Sequence, residues 1–189
     1  NAPYGTGAMP NYKRLRVPGG EYFFTANLED RRSDLLVRYI ADLRAAWLYV
    51  EQRAPFETVA AVVLPDHLHC IWRLPPGDDD FATRWRLLKA HFTRAILKHG
   101  ITPAGRRTGE RGIWQRRFWE HVIRDDSDRL AHVAYIHNNP VKHGYVKCPK
   151  DWPYCSFGRW VKAGAYEENW GCASHGELTF PRLNETAME

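Results

Sequence analysis

A chain of 189 residues is long enough for one domain with a packed core, and a composition that is 44% hydrophobic and 13% aromatic excludes an intrinsically disordered protein. The formal net charge of +5 favours a polyanionic partner such as a nucleic acid, although many basic proteins bind none. No apolar run approaches the ~18 residues that a membrane-spanning helix needs, so we predict a cytoplasmic protein with no membrane partner.

Hydrophobic periodicity predicts alternating strands and helices along most of the chain. β-branched and aromatic runs indicate strands, whereas apolar residues spaced three and four apart indicate helices. In chain order, we predict a strand over 21–28, a helix over 33–53, strands over 56–64 and 67–74, a helix over 77–100, a basic loop over 101–112, a strand over 117–124 and a helix over 125–140. Pro140 is expected to end the last helix.

This order of elements, β-α-β-β-α-β-α, predicts a ferredoxin-like, RRM-like split βαβ fold of the α+β class. The sheet is expected to be mainly antiparallel, with the helices on one face. Residues 1–8 are interpreted as a leader or expression remnant, 9–147 as one domain and 148–189 as an aromatic-rich C-terminal extension and tail. The four cysteines show no C-x-x-C spacing, so we expect reduced, mostly packed thiols.

Two histidines interrupt an apolar strand in the stretch LPDHLHCIW, residues 64–72. Because alternate residues of a strand share a face, His67 and His69 should project together while Leu68 points into the core. Two neighbouring imidazoles can chelate one divalent ion. Two hydrogen-bonded histidines in a half-buried strand are the alternative, and the pair alone does not separate these interpretations.

A second group of polar side chains shares one face of the predicted helix over 125–140. Tyr135 and Asn139 are one turn apart, and His132 lies on the same face, one turn earlier. A phenol beside an amide oxygen could line a site. The alternative is that Tyr135 is a core residue of an amphipathic helix and that the NNP stretch only stops the helix.

Six segments, taken together and in this order, resemble the REP-associated tyrosine transposases, which are bacterial single-tyrosine enzymes of the HUH nuclease superfamily. The segments are MPNYKRL, PGGEYFFTANL, VVLPDHLHCIW, GERGIWQRRFWEHVIRD, YIHNNPVKHGYV and DWPYCSF. The resemblance extends from about Met9 to about Trp170, and it implies that 9–147 is the catalytic domain.

The resemblance assigns roles to individual residues. It implies that His67-Leu68-His69 is the HUH motif, whose histidines bind a metal, and that Tyr135 is the nucleophile. Asn139 then takes the position of a third metal ligand, where many relatives have Gln. Ala134 departs from the family, in which an acidic residue often precedes the tyrosine.

These roles imply metal-dependent cleavage and rejoining of single-stranded DNA that carries a REP hairpin. The tyrosine would form a 5′ phosphotyrosine intermediate and release a 3′-OH, which can later reverse the reaction. Imidazole and amide-oxygen ligands suit Mg²⁺ or Mn²⁺. His132 is a candidate proton relay for Tyr135, although a surface histidine without a role is the favoured interpretation. Two alternatives stay open: a non-catalytic hairpin-binding module, and a metal-dependent nuclease that uses a metal-bound water.

Basic residues interleaved with aromatic ones predict a DNA-binding surface, since cations contact phosphates and aromatic rings stack on unpaired bases. The predicted DNA contacts are Arg84, Arg86, Lys89, Arg116, Arg117 and Lys142. For Trp114 and Trp119, core packing is favoured over base stacking. The resemblance also implies a bacterial, nucleoid-associated protein, with a monomer favoured over a dimer.

Overall fold

The computed structural model describes residues 14–101 and 112–172, within which the chain forms four strands and five helices. In chain order these are β1 (Glu21–Asn27), α1 (Leu35–Arg38), α2 (Ile40–Arg53), β2 (Glu57–Val63), β3 (His67–Arg73), α3 (Phe81–Lys98), β4 (Trp119–Val122), α4 (Asp126–Lys142) and α5 (Phe157–Lys162), with a 3₁₀ turn at Pro149–Asp151. The leader residues 1–8, most of the basic loop and the tail after Cys172 lie outside the described residues.

The four strands form one antiparallel sheet in the order β2-β3-β1-β4. This order follows from the split βαβ pattern, so the predicted α+β fold class is confirmed. Central strand β3 pairs with β1 in a register that places Thr25 opposite His69. Leu68 is 1% exposed and lies in the same hydrophobic core as Trp72 and Trp85, which confirms that it points away from the histidine pair.

Helices α2 and α3 cover one face of the sheet. The core between them and the sheet is built from large aromatic rings, among which Trp72 and Trp85 stack with centroids 4.6 Å apart. Phe24 packs edge-on against Trp85 at 5.4 Å. Dense aromatic packing of this kind makes β1 and β3 a rigid support for whatever their other face carries.

The prediction that the helices cover one face is wrong, because α4 and α5 pack on the opposite face. Val133 and Ile136 of α4 lie in a second core cluster with Val62 of β2 and Phe157 of α5. Strand β3 is buried along nearly its whole length on both sides, so the sheet requires cover on both faces. The histidines of β3 therefore face α4.

Pro140 lies inside α4, contrary to the prediction that it ends the helix. Proline removes one N–H donor, but the helix continues for a further half-turn, in which the His143 N–H donates to the Asn139 carbonyl at 3.0 Å. The chain turns at Gly144, whose φ of 73° is left-handed and favours glycine. At the other end, the Asp125 carboxylate caps α4 by accepting a bond from the Asp128 N–H.

The C-terminal segment completes the second core and corrects one prediction about the cysteines. Cys148 and Cys172 form a disulfide, whereas Cys70 and Cys155 are free thiols, as expected for all four. Sequence spacing failed here because the two bonded residues meet only after α5 folds back against α4. Within the described residues, no helix is long and apolar enough to cross a membrane.

Candidate active site

His67 and His69 lie side by side on β3 beneath α4, with ring centroids 5.0 Å apart. Each residue is only 4% exposed. Burial, assisted by the neighbouring His67, lowers the pKa of His69 to about 3, and burial also lowers the pKa of His67 although the Asp66 hydrogen bond opposes it. Both imidazoles are therefore neutral near pH 7, which is the form that binds metals.

Each histidine has one ring nitrogen fixed by a neighbour. Thr25 Oγ1 lies 2.8 Å from His69 Nδ1, and Asp66 Oδ1 lies 2.7 Å from His67 Nδ1. Arg31 holds the other Asp66 oxygen at 2.9 Å. Partners on Nδ1 orient the rings and leave Nε2 as the available nitrogen. Among the described residues, none hydrogen-bonds to His69 Nε2, although this atom is buried.

Helix α4 lies along the histidine pair. The Tyr135 ring lies 5.2 Å from the His69 ring, and the His143 ring lies 5.3 Å from the His67 ring. Asn139 is one turn after Tyr135 on α4 and four residues before His143, which caps the C-terminus of the helix, so it falls between them on the face that meets the histidines. Its side chain is fully buried, and neither amide atom has a hydrogen-bond partner in the part of the chain that the structure describes.

The donor set around this point fits a divalent cation. Buried polar atoms are almost always hydrogen-bonded, so the unpartnered His69 Nε2 and the unpartnered Asn139 amide need an explanation. A cation held by His67, His69 and the Asn139 oxygen would supply one. The structure thus brings His67 and His69 together beneath α4, buries Asn139 one turn from Tyr135 on that helix, and places Tyr135, which is 40% exposed, against His69.

A second cluster adjoins Tyr135 and contains the candidate relay His132. Asp128 contacts His121 Nε2 at 2.8 Å and His132 Nδ1 at 3.1 Å, and Arg124 Nε lies 3.1 Å from the same carboxylate. Burial opposes ionisation, but the bonds from His121 and Arg124 hold the pKa of Asp128 well below its usual range. One potential ligand atom from each of His121, Asp128 and His132 lies within 4.8 Å of the other two, a spacing that a metal site would also show. However, Arg124 already balances the charge of Asp128, so an ionic network explains the cluster.

Comparisons with known proteins identify the family. No family model matches the sequence. A protein of Escherichia coli named REP-associated tyrosine transposase is 49% identical over 162 residues, which is 86% of this chain and 91% of that protein. A Haemophilus influenzae protein that carries the same family name provisionally is 50% identical over 165 residues, 86% of this chain and 94% of that protein. This chain belongs to the REP-associated tyrosine transposases.

The structural comparison agrees. A solved REP-associated tyrosine transposase bound to a REP hairpin superposes with a TM-score of 0.78 at 47% identity, covering 90% of this chain and 94% of that one. The resemblance that the six sequence segments indicated is therefore confirmed. As a member of this family, the protein is a DNA-processing enzyme that uses a tyrosine nucleophile.

The structure divides the predicted DNA contacts of this transposase into two groups. Arg84 is 2% exposed and donates to Asp78 and to the Ala54 and Pro55 carbonyls, so it has a structural role instead of the predicted one. Lys89 likewise points inward. Its Nζ donates to the Gln115 carbonyl at 2.9 Å, and burial lowers its pKa to about 8.

The other predicted contacts remain available to DNA. Arg86, Arg116 and Arg117 are exposed, so their predicted role stays a prediction. Lys142 is also exposed, and its Nζ lies 5.1 Å from the centre of the Tyr135 ring. Positive charge therefore directly adjoins Tyr135.

Sequence reasoning missed several residues of this transposase site. Asp66 directly precedes the histidine pair, and a carboxylate beside a candidate metal-binding histidine is a signal that the sequence contains. Thr25 and His143 lie far away in sequence, so only the strand register and the length of α4 reveal them. Trp114 is in the core as predicted, but Trp119 is 52% exposed, contrary to prediction.

Proposed function

We propose that this transposase cleaves and rejoins single-stranded DNA beside REP hairpins through a 5′ phosphotyrosine intermediate on Tyr135. The observation that carries the proposal is the contact of Tyr135 with His69, whose buried Nε2 has no hydrogen-bond partner among the described residues. A phenol next to a cation site is the arrangement that nucleophilic attack on a phosphodiester needs. The REP hairpin bound by the similar solved transposase supports the class of substrate.

In the cleavage step, the Tyr135 oxygen attacks phosphorus in line and forms a P–O bond. The bond between phosphorus and the 3′ oxygen breaks, and that oxygen takes up a proton to become a 3′-OH. The phenol proton needs an acceptor. We assign this role to His132, because Asp128 binds its Nδ1, because no described residue hydrogen-bonds to its Nε2, and because His132 and Tyr135 line the same cavity. Rejoining is the reverse attack by a 3′-OH.

Mg²⁺ or Mn²⁺ would be held by the neutral imidazoles of His67 and His69 and by the side-chain oxygen of Asn139. Among the described residues, His69 Nε2 and the Asn139 amide atoms are buried without hydrogen-bond partners. When bound, the ion supplies Lewis acidity that draws negative charge from the phosphate. The protein's own part is to keep both imidazoles neutral and oriented. Thr25 and Asp66 do this through their bonds to the two Nδ1 atoms.

The geometry of Tyr135 supports single-stranded DNA and a monomer. A phenol on the surface of a helix aligns with a phosphate more easily when the strand is unpaired and can bend. Tyr135 and His69 belong to the same chain and are already in contact, so one protomer contains the proposed nucleophile and the proposed ligands. We therefore favour a monomer that acts on DNA in the bacterial nucleoid.

Residues 9–147 remain our proposed catalytic domain, which the extension that begins at residue 148 supports. His137 of α4 is fully buried, and its two ring nitrogens contact Tyr166 Oη at 3.2 Å and Ser156 Oγ at 2.8 Å. Both partners belong to the extension, so the extension fixes the helix that carries Tyr135. Removal of the extension would expose this buried imidazole.

The test is incubation of a hairpin with a single-stranded flank in Mg²⁺ or Mn²⁺, followed by a denaturing gel. We expect wild type to give cleaved DNA and a covalent protein–DNA band. Tyr135→Phe, which keeps the ring, should bind the hairpin and give neither product. Tyr145→Phe is the matched control, since Tyr145 is similarly exposed but lies beyond the end of α4. Cleavage without a covalent band would favour a metal-bound water, and binding without cleavage would favour a non-catalytic module.

A further inference from the structure

An open cavity of about 420 Å³ lies beside Tyr135, next to edge strand β4. It is lined mainly by aromatic side chains, and the lining residues are Phe23, Thr25, Trp119, Ala131, His132 and Tyr135. The proposed chemistry uses the Tyr135 hydroxyl and the His132 imidazole. That chemistry gives no function to the aromatic ring faces that line the cavity.

Trp119 is the residue of the cavity lining whose position core packing does not explain. Its side chain is 52% exposed on an edge strand, although an indole is large enough to stabilise a core. Neighbouring rings nevertheless fix its orientation. The Phe23 ring meets it edge-on at 5.7 Å, and the His121 ring lies parallel to it, with centroids 6.1 Å apart. A fixed and exposed indole is a platform on which a flat ligand can stack.

The cavity is continuous with the candidate active site. Thr25 lines the cavity and binds His69, and Tyr135 lines the cavity and contacts both His69 and Phe23. A base is joined to its phosphate through a single sugar. A nucleotide whose phosphate reaches the Tyr135 hydroxyl therefore brings its base within reach of the cavity.

We propose that this cavity binds the unpaired base adjoining the cleaved phosphate, stacked on Trp119. This inference rests on the proposed role of Tyr135 and names the part of the substrate that the adjoining cavity holds. Four of the six lining side chains are aromatic rings, so stacking dominates the contact. Stacking tolerates every base, because each has a π-face, so base identity matters little here.

The first experiment maps the bound base. The cleavage position is determined with wild-type protein. The fluorescent base 2-aminopurine is then placed at one position at a time along the single-stranded flank of a hairpin. Binding is followed in EDTA, where the strand stays intact. We expect quenching at one position, next to the cleaved phosphate. Quenching at no position, or equally at all positions, overturns the proposal.

The second experiment assigns the contact to Trp119. Trp119→Ala should abolish the quenching and weaken affinity for the flanked hairpin about 5- to 150-fold, the range expected for loss of one stacked base. Trp119→Phe should keep much of both. Leu48→Ala is the control, because Leu48 is 56% exposed on α2, which packs on the opposite face of the sheet. Affinity for a hairpin without a flank should be unchanged in all three variants, as should thermal stability.

An abasic nucleotide in the DNA completes the test, because its effect on binding is measured with wild-type protein and so does not depend on the folding of a variant. Placed at the quenched position, it should weaken wild-type binding by the same factor as Trp119→Ala, and the two changes together should cost no more than either alone. Additive losses overturn the cavity assignment. Since every readout is binding in EDTA, the base cavity can stand even if Tyr135→Phe still cleaves, and cleavage by Tyr135 can stand if no base is quenched.

Discussion

Thr25→Val tests whether the bond to His69 prepares that histidine to hold a cation. Thr25 Oγ1 lies 2.8 Å from His69 Nδ1, and the imidazole is 4% exposed, so water cannot replace a lost hydroxyl. Valine has nearly the same shape and leaves Nδ1 without a partner. Loss of such an orienting partner typically costs 10–100-fold in metal affinity or activity. Leaving a buried polar atom unpaired should also lower the free energy of unfolding by roughly 1–3 kcal/mol.

The assay is the Mn²⁺ concentration that gives half-maximal cleavage of a saturating hairpin. For Thr25→Val, this concentration should rise about 10–100-fold, while the rate at saturating Mn²⁺ recovers toward wild type. Thr25→Ser keeps the hydroxyl and should stay near wild type. If the valine variant needs no more Mn²⁺ than the serine variant, Thr25 does not prepare His69, and the ligand assignment of His69 loses its support.

Three further predictions address the ligands, the basic residues and the buried histidine of α4. His67→Ala and His69→Ala should each abolish cleavage but leave hairpin affinity near wild type in a filter-binding assay, since phosphate contacts dominate affinity; wild-type rates would exclude a catalytic metal there. Arg84→Ala should destabilise the fold by roughly 3 kcal/mol in urea unfolding. Arg116→Ala should instead lower the slope of log K against log salt by about 0.7 with no change in stability, and the reverse outcome would contradict both assignments. Burial lowers the pKa of His137 from 6.5 to about 3 in the folded protein. The unfolded chain therefore takes up a proton first, so the contribution of His137 to stability is full above pH 6.5 and is lost at about 1.4 kcal/mol per unit as pH drops toward 3. His137→Gln should flatten this slope between pH 6.5 and 4.5 in thermal unfolding, and an unchanged slope would assign the acid sensitivity to other groups.

Local pattern in the sequence was sufficient for the sheet and for the faces of its strands. The alternation of His67, Leu68 and His69 placed two imidazoles on one face and a leucine in the core, and the structure confirms this arrangement. The order of strands followed from the split βαβ pattern. Both results depend on near neighbours in sequence, for which periodicity carries the information.

The predictions that were wrong concern features that depend on contacts between segments distant in sequence. The burial of both faces of β3 required α4 to cross behind the sheet, which no periodicity within α4 could show. Arg84 was predicted to contact DNA because basic and aromatic residues are interleaved in its segment, yet it is buried and donates to the carbonyls of Ala54 and Pro55. Trp119 was read as core because large aromatic residues usually are, and only the tertiary fold leaves its edge strand open.

Peptide mapping of the covalent protein–DNA conjugate tests the central claim most directly. Wild-type protein is trapped on a hairpin with a single-stranded flank, the conjugate is digested by nuclease and protease, and the modified peptide is sequenced by mass spectrometry. The account predicts one modified residue, Tyr135, joined to a 5′ phosphate. Modification of Tyr145 or Tyr154, with Tyr135 unmodified, would contradict it.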